Sequence, residues 1–192
     1  PTMTTISRQP GSSQPASAAA TNPSTDPLQL VDVDHVRFYC GNAKQAAYFY
    51  AHCFGFHCEQ VRDQTTGSRE SAEYYLSQGN IRFVLTTGLN KDHPASRHVG
   101  LYGDGVKDVA FTVHNAEAAY RAAVKNGGES AYEPREPSDG TGTVIMAAVK
   151  TYGEVVHSFV ERRGGYGLPA IKAGGTFMPG FAKTLSSTRA DP

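Results

Sequence analysis

The sequence has no excess of charge of either sign: 18 Lys and Arg residues stand against 18 Asp and Glu, a formal net charge of zero. Without a global field to draw it to polyanions, it is not expected to bind nucleic acid or an anionic membrane, and small molecules or protein partners are the expected ligands. No apolar run approaches the roughly 18 residues of a membrane span, and the N-terminal stretch lacks the basic-then-apolar layout of a secretory signal. A soluble, cytoplasmic protein is therefore expected. Cysteine is scarce. Cys40, Cys53 and Cys58 are odd in number and form no Cys-x-x-Cys, which leaves reduced, buried thiols as the plain reading. Asn22-Pro23-Ser24 carries proline where a glycosylation site forbids it. Residues 1–29 are Pro, Ser, Thr, Ala and Gln with almost no large apolar groups; such a stretch cannot offset the entropy of ordering and is expected to be a disordered tail.

What is present begins at Val31. From there to Cys40 the chain alternates, with Val31, Val33, His35, Arg37 and Tyr39 on one strand face and Asp32, Asp34, Val36, Phe38 and Cys40 on the other. Asn42 caps a helix that runs to about Phe54, with Ala46, Ala47, Tyr50, Cys53 and Phe54 as its apolar stripe and Gly55 as its stop. Three strands follow, near 56–62, 71–78 and 81–87, and Gly79-Asn80 makes the last two a hairpin.

The same order then recurs. An offset of 73 positions places Val36 on Val109, Phe38 on Phe111, Asn42 on Asn115, Ala43 on Ala116, Ala46 on Ala119 and Gly55 on Gly128. These are strand-core, cap, helix-start and helix-stop positions, where geometry is demanding, so the matches indicate an internal duplication. Gly88 to Gly105 is expected to be a loop joining the two units. The second unit opens on Gly103-Asp104-Gly105 and a strand over 106–113, with a helix from Asn115 to about Asn126 and strands near 130–133, 143–150 and 154–161. The fold class expected is α+β: two βαβββ modules, 30–88 and 105–163, paired side by side around a shared cleft within a domain of residues 30–163. Residues 164–192 turn Gly- and Pro-rich and are expected to be a linker or C-terminal extension.

The cleft is where chemistry is sought. A non-haem iron site needs two imidazoles and a carboxylate converging from different strands. On paper His35, Asp108 and His157 supply them, with Glu161 as an alternative on the last strand; His35 and Asp108 are related by the repeat. The plainer account is that His35 and Asp108, opposite the apolar alternation, face solvent or hydrogen-bond a neighbouring strand. His52, His57, His93, His98 and His114 have no ligand spacing. Gly103-Asp104-Gly105 precedes a strand where a phosphate loop would precede a helix, so it reads as a turn. Gly67-Ser68-Arg69-Glu70 reads as a hairpin turn with a solvated charge pair, and no nucleophile-base arrangement has a local signature.

Several stretches carry a family likeness: Gly41-Asn42-Ala43-Lys44-Gln45-Ala46-Ala47, Gly67-Ser68-Arg69-Glu70, Ile81-Arg82-Phe83-Val84-Leu85-Thr86, Gly103 to Phe111, Thr151-Tyr152-Gly153 and the closing Met178-Pro179-Gly180-Phe181. Between about Val31 and Phe181 the chain resembles the N-terminal domain of the 4-hydroxyphenylpyruvate dioxygenase family, within the vicinal oxygen chelate superfamily. The resemblance implies an Fe(II) enzyme that uses dioxygen to convert 4-hydroxyphenylpyruvate to homogentisate in tyrosine breakdown. It also implies that the iron ligands, two histidines and a glutamate, lie in a C-terminal domain whose motifs do not occur here. No catalytic, cofactor-binding or metal residue is then transferable to this chain, which is expected to bind no iron alone, to be an inactive part of a dioxygenase and to present its sheet faces to a missing domain or to copies of itself in a homo-oligomer. The N-terminal part of a hydroxymandelate synthase, which is similar, and a stand-alone binding or scaffold module of the same superfamily are the other readings.

Overall fold

The computed structural model describes residues 26–183, so the expected tail lies mostly outside the described residues. Each unit opens with a strand and a capped helix. In the first, β1 (Leu30–Tyr39) leads to α1 (Ala43–Phe54), then β2 (His57–Arg62), a 3-10 turn (Gln64–Thr66), β3 (Ser71–Gln78) and β4 (Ile81–Gly88). Asn42 accepts a hydrogen bond from the Gln45 amide, and Gly55 ends α1 in the left-handed region at φ 76°, a conformation that costs glycine no Cβ clash. In the second unit, β5 (Gly105–Val113) leads to α3 (Ala116–Lys125), capped by Asn115; β6 (Ser130–Arg135), the short β7 (Ser138–Asp139), β8 (Gly142–Lys150) and β9 (Val156–Gly164) follow. The joining segment is not all loop. Residues Pro94–Tyr102 form a helix, α2, with proline in its first turn and the His93 side chain capping it; α4 (Leu168–Lys172) and β10 (Ala182–Lys183) close the chain.

The ten strands of the described residues belong to one sheet, in the order β10-β2-β3-β4-β1-β5-β9-β8-β6, with β7 paired to β8. Within each unit the first and last strands are parallel neighbours, β1 with β4 and β5 with β9. The units meet through the antiparallel β1–β5 pair, in which Val36 lies directly opposite Val109. Those two valines are the residues that the 73-residue offset equates, so the axis relating the two units passes between them.

The helices α1 and α3 cover one face of the sheet. Ala43 and Ala47 of α1 pack on Leu76, Leu85 and Phe56, while Ala116 and Ala119 of α3 pack on Val113, Val149 and Phe159. The predicted stripe of α1 is narrower than the sequence suggested: Cys53 and Phe54 are exposed, and Cys53 is not the buried thiol expected, whereas Cys40 is buried. On the concave face, Tyr75, Val84, Ala110, Val144 and Val160 pack against Tyr166, Ile171, Phe177, Met178 and Phe181. Residues 164–183, expected to be a linker or extension, are therefore a strap across the sheet. Gln60 holds its middle at both ends of a short span, donating to the Gly175 carbonyl (2.8 Å) and accepting from the Phe177 amide (2.8 Å). The Gly/Pro composition hid this because the apolar residues that anchor the strap are spaced by turns rather than by a helical or strand period. Among the described residues no helix is long and apolar enough to cross a membrane.

Candidate functional site

Beside the strap the concave face remains open as a cleft of about 1260 Å³. Its floor is polar. Arg37 of β1 donates from Nη1 to Glu73 Oε2 at 2.6 Å and to Thr86 Oγ1 at 2.9 Å. Arg62 Nη1 and the Ser71 hydroxyl both donate to Glu73 Oε1, at 3.1 and 3.0 Å. Burial alone would raise the Glu73 carboxyl, but the two guanidiniums hold it below its ordinary value. Burial opposes the charge on Arg37, and Glu73 beside it more than compensates, raising its pKa. Across the β1–β5 pair Asp108 accepts from the Ser158 amide (3.0 Å) and hydroxyl (2.5 Å). Because that hydroxyl's single proton goes to the carboxylate, Tyr132 must donate its own to Ser158 Oγ, 2.8 Å away. Burial pushes the Tyr132 and Tyr39 hydroxyls upward, so both stay neutral donors at ordinary pH. Met146, Met178 and Phe181 add apolar wall.

The predicted metal residues do not converge. His35 is fully buried, not solvent-facing; its Nδ1 pairs with Asp34 Oδ1 at 2.8 Å and its ring meets Phe177 edge-on at 5.3 Å. Asp108 is committed to Ser158. His157 is half-buried, with Nδ1 3.0 Å from the Val109 carbonyl and its ring against Phe111. Glu161 accepts from the first amide of α3, at Ala116, and from Arg163. Among the described residues, no three His, Cys, Asp or Glu side chains are grouped to hold a metal ion. His35 Nε2 and His98 Nδ1 are the buried side-chain nitrogens without a hydrogen-bond partner among the described residues, and neither belongs to such a group. The residues present do not fit an iron site.

Sequence reasoning missed two buried ion pairs, Arg37–Glu73 and Asp34–Arg162. The second is bidentate, with both N···O distances 2.8 Å, and Thr112 adds a hydrogen bond to the same carboxylate. Arg162 also donates to the Phe177 carbonyl at 2.6 Å, and its guanidinium lies 4.7 Å from the centre of the Phe177 ring. Burial would raise the Asp34 carboxyl; Arg162 and His35 instead hold it far below the carboxylate range. Asp34 reaches this position through a bulge. Val33 pairs with Phe111 and His35 with Ala110, so Asp34 is an extra residue in β1, and the two neighbours Asp34 and His35 are both fully buried.

Paired βαβββ modules bent around one cleft define the class of the fold, that of the vicinal oxygen chelate proteins. The chain belongs to the Glyoxalase/Bleomycin resistance protein/Dioxygenase superfamily, whose family model matches residues 32–156. Among curated relatives it is similar to the 4-hydroxyphenylpyruvate dioxygenase of Coccidioides posadasii, 39% identical over 182 residues that cover 85% of this chain and 44% of that protein. The dioxygenase of Tetrahymena thermophila is 42% identical over 158 residues, 80% of this chain and 37% of that protein. The chain thus spans less than half the length of these relatives, matching their N-terminal part. Among solved structures, a variant of 4-hydroxymandelate synthase from Streptomyces coelicolor superposes with a TM-score of 0.68 at 22% identity, covering 84% of this chain and 44% of that one. Methylmalonyl-CoA epimerase from Mycobacterium tuberculosis gives 0.57 at 19% identity over 70% and 90% of the two chains. At such identities these two show the fold.

Proposed function

We propose that this chain is the N-terminal part of a cytoplasmic 4-hydroxyphenylpyruvate dioxygenase, serving as the scaffold on which a C-terminal catalytic half packs and not turning over substrate alone. The observation that carries the reading is the pairing of two facts: dioxygenase relatives at 39% and 42% identity across most of the chain, and a cleft whose two buried carboxylates, Glu73 and Asp108, are committed to Arg37, Arg62 and Ser158. In the family implied, the chemistry that Fe(II) would supply is activation of dioxygen. Its ligands would come from the other half, because His35, Asp108 and His157 do not form a ligand set here. A scaffold role also accounts for the large apolar side chains exposed on α1, Tyr48, Phe49 and Phe54, which suit burial against a further domain or a second copy.

The test is oxygen uptake and homogentisate formation by the purified chain with Fe(II), ascorbate and 4-hydroxyphenylpyruvate, alone and co-expressed with the C-terminal half of the C. posadasii relative. Silence alone and turnover in the co-expressed pair are expected. Turnover by the chain alone, abolished in His35→Ala, would overturn the reading; hydroxymandelate as the product of the pair would redirect it to the synthase.

A further inference from the structure

We infer that the cleft is a binding site for a small organic carboxylate, seated on the free edge of the Arg37 guanidinium. Arg37 spends one of its three nitrogens within the fold: Nη1 serves both Glu73 and Thr86, while Nε and Nη2 have no partner among the described residues. Neither is sealed away. The buried side-chain nitrogens and oxygens that lack a partner there are His35 Nε2 and His98 Nδ1, so neither nitrogen of that edge is fully buried, and Arg37 is one of the residues that line the cleft. That edge presents two nearly parallel N–H groups, the fork that matches the two oxygens of a carboxylate.

The two buried acids of the cleft leave the edge vacant. Glu73 receives Arg37 Nη1, Arg62 and Ser71, and both oxygens of Asp108 receive Ser158. Glu73 faces two guanidiniums, and the Arg37 side chain is 17% exposed, so its charge is poorly hydrated and in want of a second anion. Asp108 offsets part of that charge across the β1–β5 pair, which favours a monoanion over a dianion. The apolar wall of Met146, Met178 and Phe181, with the Tyr132 ring, gives a hydrocarbon or aromatic body somewhere to lie. A neutral ligand of the same shape would leave the guanidinium edge unpaired, which is where selectivity for an acid arises.

The probe is phenylacetate, titrated into the 192-residue chain by calorimetry, with phenylacetamide as the isosteric neutral control. Saturable binding of one phenylacetate per chain is expected, at least ~10-fold tighter than the amide, the scale of a hydrogen bond to a charged group. Arg37→Met should abolish it. Glu73→Gln should tighten it several-fold, because it removes the competing carboxylate while keeping the side chain's shape, and a variant that merely damaged the fold could not bind better. The inference is overturned by equal affinity for acid and amide in the unaltered chain, by undiminished binding in Arg37→Met, or by weakening in a folded Glu73→Gln. The readout is binding, so it stands or falls apart from the dioxygenase assay.

Discussion

Asp34→Asn should be among the most destabilising conservative changes available to this protein. The carboxylate is fully buried and takes both Arg162 Nε and Nη2 at 2.8 Å, with Thr112 and His35 completing its shell. An asparagine of the same shape offers one acceptor and turns its NH₂ towards donors, leaving the Arg162 guanidinium, whose side chain is 2% exposed, short of an anion. Breaking a buried pair in this way costs about 3–5 kcal/mol. For a domain of this size that is a fall in Tm of about 6–20 °C, taking roughly 2–4 °C per kcal/mol. Because Arg162 also donates to the Phe177 carbonyl, the loss should appear first in the strap. Lys172, exposed in α4, is a trypsin site whose cleavage reports strap release. The double variant Asp34→Leu with Arg162→Met removes both charges and should recover most of the loss, since apolar replacements of buried pairs are often neutral or better. Urea melts of the single and double variants, with timed tryptic digests, decide it. A loss below about 1 kcal/mol in Asp34→Asn, or a double variant no better than the sum of its singles, would refute the argument that the pair acts as a unit.

Two further outcomes follow from titration. Asp34 and Glu73 both have folded-state pKa values held below their ordinary ones, so the stability they contribute is present above the ordinary carboxylate range and is lost as pH falls through the depressed values. Tm should be level from about pH 7 to 5 and drop below about pH 4, more shallowly in Glu73→Gln; a Tm that holds or rises on acidification contradicts it. Cys40 and Cys58 have thiols pushed up to about 11 by burial, while Cys53 is exposed. At pH 8 roughly a thousandth of either buried thiol is thiolate, so peptide mapping after brief iodoacetamide treatment should find Cys53 modified first; prior labelling of Cys40 would show that the α1 face opens readily.

Local geometry was legible wherever a short-range rule applied. The caps Asn42 and Asn115, the stop at Gly55 and the Gly79-Asn80 hairpin each depend on a few neighbouring residues, and each sits where the residues placed it. The duplication was legible because cap and core positions tolerate few substitutes. The α2 helix was not legible because Gly, Pro, Asn and Asp crowd residues 88–105 without a helical period, and Pro94, which follows the capping His93, serves as readily in a loop as in a first helical turn. The site residues failed for a different reason. Alternation placed Asp34 and His35 on opposite faces, and a one-residue bulge, set by pairing with β5, buried both. Arg37 drew no notice because its partner Glu73 is 36 positions away on another strand, a relation that no local pattern encodes.

The split of the concave face into packed core and open cleft follows from steps of two residues along each strand. His35, Tyr75, Val84, Ala110 and Val160 form one row, and the strap lies on it. Arg37, Glu73, Thr86, Asp108 and Ser158 are each two positions further along or back, and they form the polar row of the cleft. Two residues is one step along a single face of a strand, so both rows point the same way and differ only in depth along the sheet. The axis between Val36 and Val109 makes the Arg37–Asp108 pair and the His35–Ala110 pair equivalents of each other. What separates their fates is side-chain chemistry: Ala110 leaves room for Phe177, which stacks on Tyr75 at 4.2 Å, whereas a charged pair at the other end gives an apolar strap nothing to bury against. The duplicated backbone thus supplies two matching half-sites; the strap fills one, and the charges keep the other open for a ligand.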